Sequence, residues 1–169
     1  MEKAKTKAAL GLVLRGVGVL AASLAVSTVL GQSKDIYPAT TAAGTDLQAA
    51  LAKANTQHKR VILDFGGNWC GDCRALNAIF HKSPNAALLA NNFILVDINI
   101  GRVDQNLDIA KKYEVPLGKG VPALAVLDSN GHLLYSQKNG EFEAMRSMDP
   151  TSVTKFLNQW KAPAGDAKK

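Results

Sequence analysis

The chain has 169 residues, 47% of them hydrophobic, with a formal net charge of +6 at pH 7 and only two cysteines. That length fits one domain with a single good core. The charge comes without a basic-aromatic patch, which argues against nucleic-acid binding, and two cysteines exclude a disulfide-scaffold protein.

Met1 to Lys7 carries Lys3, Lys5 and Lys7, and Gly16 to Leu30 is uncharged and mostly apolar. A basic start, an apolar run of this length and Val29-Leu30-Gly31 predict a secretory signal peptide over residues 1–31, cleaved near Gly31. The alternative is an uncleaved N-terminal membrane anchor from Ala8 to Leu30, with Arg15 snorkelling. Either reading exports the remainder, to the periplasm or another extracytoplasmic space. No cysteine lies near the end of the leader, so a lipoprotein anchor is not expected. Residues 1–31 hold four basic groups and one acid, so the mature domain keeps a charge of about +3.

Residues 32–44 read as a polar linker, with a short edge strand at Ile36-Tyr37. Asp46 to Gln57 is predicted as a helix: Leu47, Ala50, Leu51 and Ala54 share one face, and Thr45 or Asp46 caps it. Arg60 to Phe65 is an apolar strand. Cys70 to His81 follows as a helix, and Ser83-Pro84 starts a shorter one with Pro at its first position. Phe93 to Ile98 is a strand and Gln105 to Tyr113 a helix. Ala123 to Leu127 and Leu133 to Ser136 form a hairpin around Asn130-Gly131. Lys138 to Met148 is a long loop whose Phe142, Met145 and Met148 pack near Pro122 or, as the favoured alternative, form a satellite core cluster. Met148 to Trp160 is the last helix, opened by Asp149-Pro150-Thr151, and 163–169 is a tail. The order gives an α/β domain: a mixed four- to five-stranded sheet with helices on both faces.

The chemistry concentrates in Trp69-Cys70-Gly71-Asp72-Cys73. An apolar strand, a Gly turn and Cys-x-x-Cys opening a helix make a redox-active dithiol. At the start of a helix Cys70 meets unpaired N–H groups and the positive end of the dipole, which favour the nucleophilic thiolate. Cys73 lies one turn later on the same face, within reach of Cys70. Gly71 removes bulk beside the reacting sulfur. The competing reading is half a zinc site, but zinc wants four ligands and His58, His81 and His132 are scattered. Asp64 is a carboxylate inside an apolar strand, which is costly unless partnered; an ordinary strand-end acid is the plainer alternative. Its expected role is to take the Cys73 proton, directly or through water.

At these residues the chain resembles the thioredoxin superfamily, over about Thr45 to Lys161. Trp69-Cys70-Gly71-Asp72-Cys73 is similar to the family's Trp-Cys-Gly-x-Cys core, Asp64 stands where thioredoxins carry a buried acid, and Val121-Pro122 stands where they carry a cis-proline. Asn68 to Arg74, Gly101 to Leu107 and Lys119 to Ala123 are similar to an exported bacterial subgroup. The chain departs from the pattern at Asp72 and Ala78, where the family usually has prolines, and at Asp97, where thioredoxins often have a lysine. A Pro116 to Gly120 insert precedes Pro122.

The resemblance implies a thioredoxin fold over residues 45–162 and an exported thiol–disulfide oxidoreductase, most simply a protein-disulfide reductase. Cys70 would be the nucleophile, Cys73 the resolving thiol and Asp64 the proton acceptor. Trp69, Val121 and Pro122 would form the substrate groove, with the Val121 backbone as a pairing edge. Gly71 and Asp72 would tune the couple, the Asp72 charge making it more reducing; a plain solvated face is the alternative for Asp72 and Arg74. No cofactor or metal is expected. The expected partners are disulfide-containing proteins and an upstream membrane electron donor, because an exported dithiol drifts to disulfide unless electrons return to it. The chain is expected to act as a monomer. Two other readings use the same cysteines: a disulfide oxidase or isomerase, and a copper- or zinc-handling protein.

Overall fold

The computed structural model describes residues 35–163. The expected leader, the start of the linker and the last six residues of the tail lie outside these. The elements run α1 (Ala43–Gln57), β1 (Arg60–Gly66), α2 (Gly71–Phe80), α3 (Asn85–Asn92), β2 (Phe93–Asn99), α4 (Leu107–Lys112), β3 (Ala123–Leu127), β4 (Leu133–Ser136) and α5 (Thr151–Trp160), with short 3-10 turns at Thr40–Ala42, Leu117–Lys119 and Met145–Ser147. No helix among the described residues is long and apolar enough to cross a membrane.

The strands form one four-stranded mixed sheet in the order β2-β1-β3-β4. β1 pairs parallel with β2 and antiparallel with β3, and β3 pairs antiparallel with β4. β1 is therefore central and alternates its side chains between two cores. Val61, Leu63 and Phe65 pack with α1, α4 and one face of β2 and β3. Ile62 packs on the other face with Leu76 and Phe80 of α2, Leu89 of α3, and Val153, Phe156 and Leu157 of α5. The architecture is an α/β fold, a mixed sheet with helices on both faces.

Several boundaries differ from the sequence reading. Ile36-Tyr37 joins no strand, because both N–H groups bond to the Asn68 side chain instead of a strand backbone. α1 starts at Ala43, fed by the turn Thr40–Ala42; neither Thr45 nor Asp46 caps it, and Thr45 Oγ1 donates to the Ala42 carbonyl. Pro84 precedes α3 at its N-cap rather than occupying its first turn. α4 is short because the N–H groups of Val103, Asp104 and Gln105 all converge on the Ile100 carbonyl in a separate turn. α5 begins at Thr151, whose N–H and hydroxyl both donate to the Asp149 carboxylate. Phe142 and Met145 lie in the second core, Phe142 edge-on to Phe156 at 5.3 Å, and Met148 packs against it. The long loop is thus a core cluster.

Candidate active site

β1 carries Asp64 and Gly66, two residues apart on the same face, at its C-terminal end. The chain then turns, with Cys70 N–H donating to the Gly67 carbonyl at 2.9 Å, and α2 begins. Cys70 occupies the N-cap of α2, and its sulfur accepts from the Cys73 N–H at 3.1 Å. This is the geometry of a side-chain cap on the third helical residue. Cys70 and Cys73 are joined in a disulfide. Cys70 retains 5% exposure and Cys73 none, so an incoming group reaches Cys70. When the bond is open, the cap N–H and the helix dipole favour negative charge on Cys70 sulfur.

Around Cys70 the surroundings face solvent. Its sulfur lies 3.6 Å from the Val121 carbonyl oxygen, and the Val121–Pro122 peptide is cis. The Gln137 side chain, fully buried, donates to the Pro122 carbonyl and accepts from the Leu124 N–H, which fixes the backbone beside the disulfide. Trp69 is 45% exposed; its indole N–H donates to the Gly101 carbonyl at 2.6 Å and Arg102 sits over its ring. Asp72 accepts from the Arg146 N–H at 2.9 Å and pairs with its guanidinium at 3.0 Å, which holds the Asp72 carboxyl below the usual range. The Asp72 charge is therefore countered by Arg146.

Around Cys73 the surroundings are dry. Asp64 is fully buried and directly paired in register with Asp97 of β2. Burial, then the Asp97 charge, push the Asp64 carboxyl well above its ordinary value. Burial raises Asp97 to about 6, with His81 opposing. Tyr37 is 2% exposed and shares a cluster with Cys70 and Cys73. Its hydroxyl, both Asp64 oxygens and one Asp97 oxygen have no hydrogen-bond partner of good geometry among the described residues. The strand acid of the sequence thus sits in a group of two carboxyls and a phenol. No group of three or more His, Cys, Asp or Glu side chains among the described residues is placed to hold a metal ion.

The sequence reading missed five contributors, Gln137 among them. Tyr37 falls in the stretch read as linker. Asn68 reaches back to it: Oδ1 accepts from the Ile36 and Tyr37 N–H groups at 2.9 and 3.0 Å, and Nδ2 donates to the Tyr37 carbonyl at 2.9 Å. Arg74 is more than a solvated face, because its guanidinium donates twice to the Asn68 carbonyl, at 2.6 and 3.1 Å. Arg146 comes from the long loop. The signals were Asn68 and Arg74 within the motif string; nothing marked Tyr37, Gln137 or Arg146.

A thioredoxin-like family model matches residues 41–129. A disulphide isomerase from Xylella fastidiosa is similar in structure, with a TM-score of 0.71 and 35% identity, covering 76% of this chain and 98% of that one. A thiol:disulfide interchange protein DsbD of Vibrio cholerae is 27% identical over 125 residues, 73% of this chain and 20% of that protein. Thioredoxin-3 of Dictyostelium discoideum is 35% identical over 60 residues, 36% of this chain and 55% of that protein. The chain thus spans little more than half of one of these curated relatives and a fifth of the other. It belongs to the thioredoxin-like family, and Cys70 and Cys73 are the two cysteines of its Cys-x-x-Cys pair.

Proposed function

We propose that the protein reduces disulfides in exported proteins by dithiol–disulfide exchange. The observation that carries this reading is the asymmetry of the pair: a capped sulfur at the rim and a fully buried one packed with Tyr37. In the reduced protein the Cys70 thiolate attacks a substrate disulfide and forms a mixed disulfide. Cys73 then loses its proton toward Asp64, attacks Cys70 sulfur and releases the substrate thiol, leaving the Cys70–Cys73 disulfide. Trp69 and the Val121–Pro122 backbone are the surfaces on which we place the substrate chain, the latter as a short pairing edge. Gly71 leaves room for the Arg146 guanidinium, which an added Cβ would meet at 3.2 Å, and Asp72, countered by Arg146, trims the potential.

The leader supports export to the periplasm or an equivalent space. There the disulfide persists unless electrons return, so we assign a membrane electron donor upstream and disulfide-containing proteins downstream. The test is turnover of a protein disulfide with dithiothreitol as electron source. The wild-type chain should accelerate it and Cys70→Ser should not; equal rates for the two would overturn the reading.

A further inference from the structure

We infer that the Tyr37 hydroxyl is the relay through which the proton passes between Cys73 sulfur and the Asp64 carboxyl. The inference rests on the dithiol reading above and names the group that serves its buried half.

Gly66 locates the three partners. Its Cα touches the site so closely that an added Cβ would collide with the Tyr37 hydroxyl and lie 2.8 Å from Cys73 sulfur. Hydroxyl and sulfur therefore sit side by side over one backbone atom. Asp64, two residues earlier on β1, projects from the same face. The hydroxyl is buried without a hydrogen-bond partner of good geometry among the described residues, as are both Asp64 oxygens. The phenol and the acid nonetheless interact, Tyr37 opposing the upward shift of the Asp64 carboxyl, so the hydroxyl is placed against both the sulfur and the acid. The position is also held from outside: Asn68, two residues before Cys70, clasps the Tyr37 backbone at both its N–H and its carbonyl.

The charged and titratable groups facing the hydroxyl are Asp64 from β1, Asp97 from β2 and the two cysteines at the start of α2, with His81 acting on Asp97. Burial and the two carboxyls push the phenol above its ordinary value, so tyrosinate does not accumulate and the hydroxyl relays instead of storing charge. When an incoming thiolate attacks Cys70 sulfur, the S–S bond breaks and its electron pair goes to Cys73 sulfur. Tyr37 gives its proton to that sulfur and takes one from the protonated Asp64 carboxyl. In the reverse direction Cys73 attacks Cys70 sulfur, its proton goes to Tyr37, and the Tyr37 proton goes to ionised Asp64. Tyr37 is unchanged in either direction.

The experiment uses the full chain with a chromogenic mixed disulfide preformed on Cys70, and follows release as Cys73 attacks. Tyr37→Phe keeps the ring and removes the hydroxyl. Release should slow on the order of 10²-fold, the low end of what positioned proton transfer supplies, with loss of the solvent deuterium isotope effect. Release from Tyr37→Phe at the wild-type rate, with the isotope effect intact, would overturn the relay. Wild-type release no faster than from Cys73→Ala would instead sink the dithiol reading itself. Should Tyr37→Phe fail to fold, ring-fluorinated tyrosine at position 37 keeps the hydroxyl and lowers its pKa. A changed release rate supports the relay, and an unchanged one contradicts it.

Discussion

Cys70 and Cys73 are one helical turn apart and share a bond, yet their surroundings have opposite character. Cys70 caps α2 at a rim built from Trp69, Val121–Pro122 and the Asp72–Arg146 pair. Cys73 is fully buried and packs with Tyr37, whose hydroxyl feels the charges of Asp64 and Asp97. The difference shows how one short motif separates two tasks. The rim needs access and stabilised thiolate; the buried side needs a proton acceptor that does not require solvent.

Breaking either half should fail differently, and this is the largest effect. Cys73→Ala should hold substrate as a stable mixed disulfide on Cys70, with turnover at background, whereas Cys70→Ser should capture nothing. Mass spectrometry of trapped adducts distinguishes them; adducts on Cys70→Ser would reverse the roles. Next is Asp64→Asn, which removes the acceptor and should slow resolution of the mixed disulfide by about 10²-fold. Wild-type resolution should rise with pH through a value well above the ordinary carboxyl range, because only ionised Asp64 takes the proton, and the Asn variant should lose that inflection.

The buried acids should also appear in stability. Asp97 titrates at about 6 in the fold against an ordinary 3.8. Between those values the folded state holds a proton that the unfolded chain has lost, so stability falls as pH rises from 4 to 6 and stays lower above. The change is about 2–3 kcal/mol. Asp97→Asn should flatten this part of the profile and be more stable than wild type at pH 7, as urea midpoints at pH 4 and 7 would show. The smallest effect is on the rim. Arg146→Ala frees the Asp72 charge and should lower the reduction potential, by less than about 30 mV because the pair is solvent-screened. A rise would show that Asp72 acts in another way.

The two halves were unequally legible in the sequence. Cys70, Cys73 and Asp64 stand within ten residues on a strand, a turn and a helix start, where apolar patterning and local geometry fix their relation. The sheet followed from apolar patterning, and β3 and β4 have the bounds predicted for a hairpin around Asn130-Gly131. Tyr37 was hidden because its partners are remote: it is held by Asn68 at a separation of 31 residues, in a stretch whose composition reads as linker. Arg146 meets Asp72 across 74 residues, through a loop with no periodic signal. Asp97 was noticed as a departure from the resemblance, but its pairing with Asp64 is a matter of parallel register, which local patterning does not specify.

The reduction potential of the Cys70–Cys73 couple in the full chain, titrated against glutathione or dithiothreitol, tests the central claim most directly. A reversible two-electron couple near −270 mV, the range of thioredoxin, is the predicted result for a disulfide reductase supplied by a dedicated donor. A couple near −120 mV would make the protein an oxidant and contradict the direction assigned to it.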